Sequence, residues 1–184
     1  TSTDSHYSNL DVPDVAGTNR DDETAGINVD VATTLVTTEA GGVAMFSIVL
    51  QSEPMSDVTI PLSSTDTSEG TVTAVPLTFT PTNWNVPQAV LVTGVNDSVA
   101  DGDQPYRVLV GPASSSDSEY SGLSGPDVAA SNTDDESAGF EVSPMTGLVT
   151  SEGATTASFT VVLRSEPLSS VALSVTSSDT TEGT

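Results

Sequence analysis

The segment VAMFSIVL, at residues 43–50, carries apolar side chains at every second position. Ala44, Phe46, Ile48 and Leu50 fall on one side of an extended chain, because successive side chains of a β-strand point to opposite faces. A helix would repeat its apolar positions near every 3.6 residues, and no such period persists over a helix-length window of this sequence. The segment therefore predicts a strand with one face buried.

Similar alternating segments occur on both sides of it and are separated by turn-forming residues. They are Ile27, Val29 and Val31; Val58, Ile60 and Leu62; Leu77 and Phe79; Gln88 to Val95; Tyr106, Val108 and Val110; and Val128 with Ala130. Seven or more short strands in about 110 residues are typical of two packed antiparallel sheets. The sequence predicts an all-β fold of Ig-like antiparallel β-sandwiches.

The sequence also repeats itself. Shifting residues 1–71 by 113 positions matches 37 of 71 residues without a gap, and segments 19–26 and 52–54 recur at 132–139 and 165–167. A period of this length fits one sandwich per repeat. We therefore expect residues 1–26 to be the C-terminal end of a preceding repeat, 27–139 a complete repeat, and 140–184 the N-terminal part of the next. This division predicts that the sequence is a segment of a longer array of repeats.

Charge and composition exclude several functions. The chain has 26 acidic residues against three arginines and no lysine, a formal net charge of -23, one histidine and no cysteine. Nucleic acid and anionic membrane surfaces attract basic patches, so we expect neither as a partner. No apolar run approaches the roughly 18 residues of a membrane-spanning helix, which predicts no membrane insertion. The lone histidine and missing cysteines leave no nucleophile–base pair, so we expect no enzyme.

The acidic side chains concentrate in the connections between predicted strands. In a sandwich these connections alternate between two ends, so four acidic groups can meet at one end. Converging carboxylates call for a cation, and calcium accepts six to eight oxygen ligands in irregular geometry. The residues are Glu39; Asp66 and Glu69; Asp97, Asp101 and Asp103 in the loop 96–103; and Asp134, Asp135 and Glu136.

The order of these motifs resembles a Calx-beta domain. The resemblance rests on 38–42 (TEAGG), 64–66 (STD), 77–81 (LTFTP), 92–97 (VTGVND) and the closing 134–136 (DDE). It implies a Ca²⁺ site and, as its ligands, Glu39, Asp66, Asp97, Asp101, Asp103, Asp134 and Asp135, with Glu136 in the closing acidic run. The Asp-Tyr usual in that family is replaced by residues 68–71 (SEGT), which leaves open whether Glu69 joins the site.

The resemblance implies a non-catalytic, extracellular structural repeat at a cell surface or in a secreted protein. We expect calcium at the junctions to stiffen neighbouring repeats of the chain into a stalk, and exposed edge strands could pair repeats into a fibre. An alternative is an adhesion module that binds a glycan or surface protein, with Trp84 either as a stacking platform or as a packing anchor. A further alternative is that the acidic residues only keep the surface solvated.

Overall fold

The computed structural model describes residues 2–73 and 76–183, and this part of the chain contains thirteen β-strands and no helix. Accordingly, it holds no helix that could span a membrane. The strands are β1 (Ile27–Asp30), β2 (Leu35–Thr38), β3 (Val43–Leu50), β4 (Val58–Ile60), β5 (Leu62–Ser64), β6 (Gly70–Val72), β7 (Leu77–Phe79), β8 (Gln88–Gly94), β9 (Gln104–Val110), β10 (Ser114–Ser115), β11 (Val128–Thr133), β12 (Phe140–Ser143) and β13 (Thr160–Leu163).

Two four-stranded sheets form the sandwich, in the orders β1-β3-β8-β6 and β2-β11-β9-β5. Their strands bury every second side chain, as in β3, where Phe46, Ile48 and Leu50 are at most 3% exposed. These residues share one core with Val92 of β8 and Val108 of β9. Burying each such side chain stabilises the fold by about 1.5–3 kcal/mol. The prediction of an all-β, Ig-like sandwich is confirmed.

Pro61 marks the place where the chain crosses from one sheet to another. Strand β4 before it pairs with β7 and β10 in a small three-stranded sheet, whereas β5 after it pairs with β9 of the sandwich. Proline has no backbone N–H to give to a ladder, so it fits at such a break. The predicted segment of Val58, Ile60 and Leu62 is thus two short strands.

The pairing of β2 with β11 is parallel, while every other strand pair in the two sandwich sheets is antiparallel. Alternation alone does not predict this strand: β2 carries threonine at Thr37 and Thr38, although Leu35 and Thr37 are buried. Because β2 and β11 run in the same direction, the residues that follow them leave the sheet at the same end. That shared exit determines where the acidic groups meet.

The pairing of β1 with β3 recurs 113 residues later. Ile27 pairs with Leu50 and Asp30 with Ser47, and in the next segment Phe140 pairs with Leu163 and Ser143 with Thr160. The repeated sequence therefore forms the same register twice. Residues 2–26 contain no strand and are almost entirely exposed. The boundaries at residues 26 and 139 stay a prediction.

Candidate metal centre

Four segments bring carboxylates to one end of the sandwich. Glu39 follows β2, Glu69 precedes β6, the loop 96–103 joins β8 to β9, and residues 134–136 follow β11. The parallel pair aligns the first and last of these, since the Glu39 N–H donates to the Thr133 carbonyl oxygen (3.1 Å). The convergence expected from strand order is therefore present.

Two groups of three carboxylates form there and share one member. In each group, one oxygen from every residue lies within 4.8 Å of the other two. Glu39, Asp97 and Glu136 make the first group, and Glu69, Asp97 and Asp101 the second. We call these the inner triad and the outer triad. Asp97 belongs to both, so the loop 96–103 is held at the centre of the site.

The inner triad contains buried oxygens without a hydrogen-bond partner. Glu39 is only 3% exposed, and its Oε2 atom and that of Glu136 are buried and accept no hydrogen bond from the described residues. A buried polar atom left without a partner costs about 1–3 kcal/mol, and more when the group is charged. These two oxygens therefore call for a ligand that supplies positive charge.

Burial and neighbouring carboxylates disfavour ionisation of Glu39. Desolvation is the largest cause, followed by the adjacent carboxyl group of Glu136 and by the charges of Asp97 and Asp134; together they raise its pKa to about 8. The pKa of Glu69 is also raised, chiefly by burial. Without a cation the cluster therefore retains protons that carboxyl groups normally lose near pH 4.

Basic side chains do not neutralise this cluster. Of the ion pairs among the described residues, one joins Arg107 to Asp127 at 4.0 Å and the other joins His6 to Asp4 at 3.2 Å, and all four side chains are substantially exposed. The donor set of the triads consists entirely of carboxylate oxygens, the hard ligands that Ca²⁺ prefers. The residues present therefore fit a calcium ion chemically.

Asp134 and Asp103 lie beside the triads and brace the loop. Gly102, with a φ of +80°, donates its N–H to Asp134 Oδ2 (2.6 Å), and Asp103 Oδ1 accepts the N–H of Asp134 (3.2 Å). Asp134 Oδ1 also accepts the N–H of Glu136 (2.8 Å), and these backbone hydrogen bonds lower its pKa. Both aspartates fix the loop against the end of β11.

Two further predicted ligands lie outside both triads. The side chain of Asp66 faces the turn in which it lies. Its Oδ1 atom accepts hydrogen bonds from the N–H (3.0 Å) and the hydroxyl (2.5 Å) of Ser68, and these bonds lower the pKa of Asp66. Asp135 is exposed. Of the eight predicted ligands, the structure groups four in the triads: Glu39, Asp97, Asp101 and Glu136.

Glu69, whose participation the sequence left open, is part of the outer triad. Behind the site lies a buried polar group that the sequence does not predict, formed by Thr37, Tyr106 and Asn132. In the structure the buried face of β2 runs through Leu35 and Thr37 to Glu39, but the apolar Val36 between them hides this alternation in the sequence. A buried Thr and Glu on one strand face indicate a polar site.

The loop 96–103 also contacts Glu166, which the sequence assigns to a following repeat. Val99 forms an isolated parallel bridge with Glu166, and the Glu166 N–H donates to the Ser98 carbonyl oxygen (2.6 Å). A mainly apolar cavity of about 410 Å³ adjoins this contact and is lined by Val99, Ala100, Phe140, Leu163, Pro167 and Leu168, among others. The acidic loop thus contacts the segment that follows the sandwich.

Trp84 is partly buried and packs against the hydrophobic core. Its carbonyl oxygen accepts the N–H of Leu50 (3.1 Å), which ties its loop to β3. These contacts agree with a packing anchor. His6, by contrast, is exposed in the strandless N-terminal segment.

The fold and this site define an all-β sandwich with a candidate cation centre at one end. No family model matches the chain, and no curated protein matches it. Two solved structures from Caenorhabditis elegans are similar to it. WR4, an MSP family member, is 13% identical with a TM-score of 0.39, over 58% of this chain and 95% of that one. SSP-19, an MSP-domain-like family member, is 11% identical with a TM-score of 0.36, over 54% and 92%.

Similarity at this level has no bearing on function. The resemblance to a Calx-beta domain stays a prediction.

Proposed function

We propose that the complete sandwich binds Ca²⁺ at its acidic end and that the chain is a non-catalytic structural repeat whose junctions calcium stiffens. One observation carries the proposal: Glu39 and Glu136 each bury an oxygen that accepts no hydrogen bond from the described residues, inside a group of carboxylates. A cation bound by these oxygens would supply the contact that they lack and would relieve their mutual repulsion.

Calcium suits this arrangement better than magnesium. The triads present carboxylates from four segments at irregular spacing, and Ca²⁺ tolerates such geometry, whereas Mg²⁺ requires a near-ideal octahedron. The ligands we assign are Glu39, Asp97 and Glu136 of the inner triad with Glu69 and Asp101 of the outer one. Asp97, as a member of both triads, is the residue on which binding depends most.

The position of Asp97 supports a mechanical role. Its carboxylate belongs to both triads and accepts the N–H of Val99 (2.7 Å), and Ser98 and Val99 contact Glu166 of the next repeat. An ion bound to Asp97 would therefore also fix Ser98 and Val99, the two residues that contact the next repeat. An array of repeats joined in this way would behave as a stiff stalk or fibre.

An extracellular location would agree with the same chemistry. Extracellular calcium modules have dissociation constants of about 10⁻⁴ to 10⁻³ M. A chain of this type would stay unfolded or loose in a low-calcium cytosol and become rigid after export. The resemblance to Calx-beta repeats of cell-surface proteins agrees with this location.

Calorimetric titration of the whole chain with CaCl₂ tests the proposal, with MgCl₂ as the control cation. We expect saturable calcium binding and much weaker magnesium binding. At a hundredfold excess over the dissociation constant, binding adds about 2.7 kcal/mol to the free energy of unfolding. That amounts to a rise of about 10 °C in melting temperature. No heat of binding, together with the same melting temperature in calcium and in EGTA, would refute it.

Recognition of a glycan or surface protein stays the alternative function. The packing of Trp84 against the core gives it less support than the carboxylate triads give calcium binding.

A further inference from the structure

A buried amide, Asn132, stands directly behind the outer triad. It belongs to β11 and is fully buried, with 0% exposure. Its Nδ2 atom donates to the Val95 carbonyl oxygen (2.9 Å) and, over a longer distance, to Glu69 Oε2 (3.4 Å). Its Oδ1 atom accepts the hydroxyl of Thr37 (2.9 Å). One side chain therefore joins β2, β11, the segment before β6 and the end of β8.

Two acceptors determine how this amide is oriented. The Val95 carbonyl oxygen and Glu69 Oε2 both accept, so the Nδ2 protons of Asn132 point toward the acidic end. Its Oδ1 atom lies on the core side, where it accepts the Thr37 hydroxyl, which is 3.0 Å from the Tyr106 hydroxyl.

Close packing leaves the amide no room to move. A Cβ atom at Gly94 would collide with Asn132 Oδ1 and with the Thr38 carbonyl oxygen, and one at Gly70 would collide with the ring of Tyr106. Glycine at these two positions lets neighbouring strands approach the amide closely. The polar group is therefore part of the rigid sandwich and not of the mobile surface.

The two hydrogen-bond acceptors of Asn132, on Glu69 and Val95, are each connected to proposed ligands. Glu69 is itself in the outer triad, and its carbonyl oxygen accepts the N–H of Val95 (3.0 Å). Val95 in turn lies two residues before Asp97, which belongs to both triads. Holding Val95 thus fixes where the loop 96–103 begins.

We propose that Asn132 is a positioning residue for the cation site, acting through Glu69 and Val95 without touching the ion. This inference rests on the proposed calcium function. Groups that orient metal ligands in this way typically contribute about 10- to 100-fold to metal affinity. Asn132 would do so while also satisfying polar groups of the core.

The test compares Asn132→Leu with Thr37→Val in the whole chain. Both changes preserve approximate size and remove buried hydrogen bonds, so both should lower the melting temperature in EGTA. Only Asn132→Leu removes the donor that faces Glu69. We expect it to weaken calcium affinity about 10-fold, and Thr37→Val to change affinity less than about threefold. Should Asn132→Leu not fold, Asn132→Ser, which keeps a hydroxyl in the core, replaces it.

A double-mutant cycle with Glu69→Gln distinguishes positioning from a general loss of stability. If Asn132 acts through Glu69, its substitution should lower affinity much less in the Glu69→Gln background. Luminescence lifetimes of bound Tb³⁺ should also show about one more water molecule on the ion in Asn132→Leu. Equal loss of affinity in both backgrounds overturns positioning through Glu69, and unchanged affinity in Asn132→Leu overturns the whole inference. Absence of calcium binding by the unaltered chain would instead overturn the proposed function.

Discussion

The carboxyl groups of Glu39 and Glu136 each place an oxygen within 4.8 Å of the other, and each buries an Oε2 atom that accepts no hydrogen bond from the described residues. They come from segments on neighbouring parallel strands, β2 and β11, which end side by side. Two carboxylates so placed repel each other when both are ionised. Above the Glu39 pKa of about 8 the pair therefore destabilises the ion-free fold, and a cation between the two groups would relieve the repulsion.

Glu39→Gln should separate the two consequences of this arrangement. At pH 8.5, above the pKa of about 8 that Glu39 has in the folded chain, the substitution removes a buried charge, so we expect a melting temperature in EGTA several degrees higher than that of the unaltered chain at the same pH. It also removes a proposed ligand, so the rise on adding calcium should shrink by more than half. Scanning calorimetry in EGTA and in calcium measures both effects.

Glu119→Gln is the matched control, because Glu119 is exposed, belongs to neither triad and lies beside Ser52 and Trp84. It should leave both melting temperatures within about 1 °C of the unaltered values. A Glu39→Gln chain that loses stability in EGTA yet keeps its full response to calcium would contradict the assignment.

The raised pKa of Glu39 predicts an unusual pH dependence. Its folded-state value of about 8 lies above the ordinary value of 4.5, so the folded chain binds more protons than the unfolded chain between these pH values. Without calcium, the contribution of protonated Glu39 to the free energy of unfolding should therefore be complete below about pH 4.5. It should be lost as the pH rises through 8. Asp66 and Asp134, whose pKa values are lowered, lose their contribution only at more acidic pH.

Urea unfolding in EGTA at pH 5.5 and pH 8.5 measures this dependence. We expect a lower midpoint at pH 8.5, and calcium should reverse the order, because it binds the ionised carboxylates. In Glu39→Gln the difference between the two pH values should be much smaller. A higher midpoint at pH 8.5 without calcium would be inconsistent with a protonated Glu39.

The junction contact predicts how adjoining repeats move. Glu166→Pro removes the N–H that donates to Ser98, whereas Glu53→Pro makes the same change in the same tripeptide 113 residues earlier, outside this contact. Spin labels on cysteines introduced at the exposed Ser63 and Glu141 would be unique, since the chain has no cysteine. We expect calcium to narrow the distance distribution in the unaltered chain and in Glu53→Pro, but not in Glu166→Pro.

A narrow distribution in Glu166→Pro would mean that the contact between Ser98 and Glu166 does not control the junction. Equal breadth with and without calcium in the unaltered chain would mean that calcium does not stiffen it.

Local and distant features of this fold differ in how well the sequence predicts them. The strands with alternating apolar residues, such as β3 and β9, are predictable because alternation is a property of neighbouring positions. Strand β2 escapes prediction, since two threonines obscure its buried face. Its parallel pairing with β11 depends on residues about 95 positions apart, and that pairing decides which acidic residues meet.

The acidic residues themselves illustrate the same limit. Composition shows that carboxylates crowd the connections, and the order of strands places those connections at one end. Which side chains face inward depends on individual hydrogen bonds. Asp66 is held in its own turn by Ser68, whereas Glu69, three residues later, reaches the outer triad. Spacing along the chain gives no means of distinguishing the two.

These two residues therefore give a direct choice between the ligand set that the family resemblance implies and the one that the geometry supports. Glu69→Gln should weaken calcium affinity about 10-fold or more, because it removes a charged oxygen ligand from the outer triad. Asp66→Asn removes the same charge nearby but keeps an oxygen for the hydrogen bonds from Ser68, so affinity should fall less than about threefold through long-range charge alone. Calorimetric titrations at 0.15 M salt compare the two. If instead Asp66→Asn abolishes binding and Glu69→Gln leaves it intact, the ion is held by the residues of the family pattern, and the outer triad is not its site.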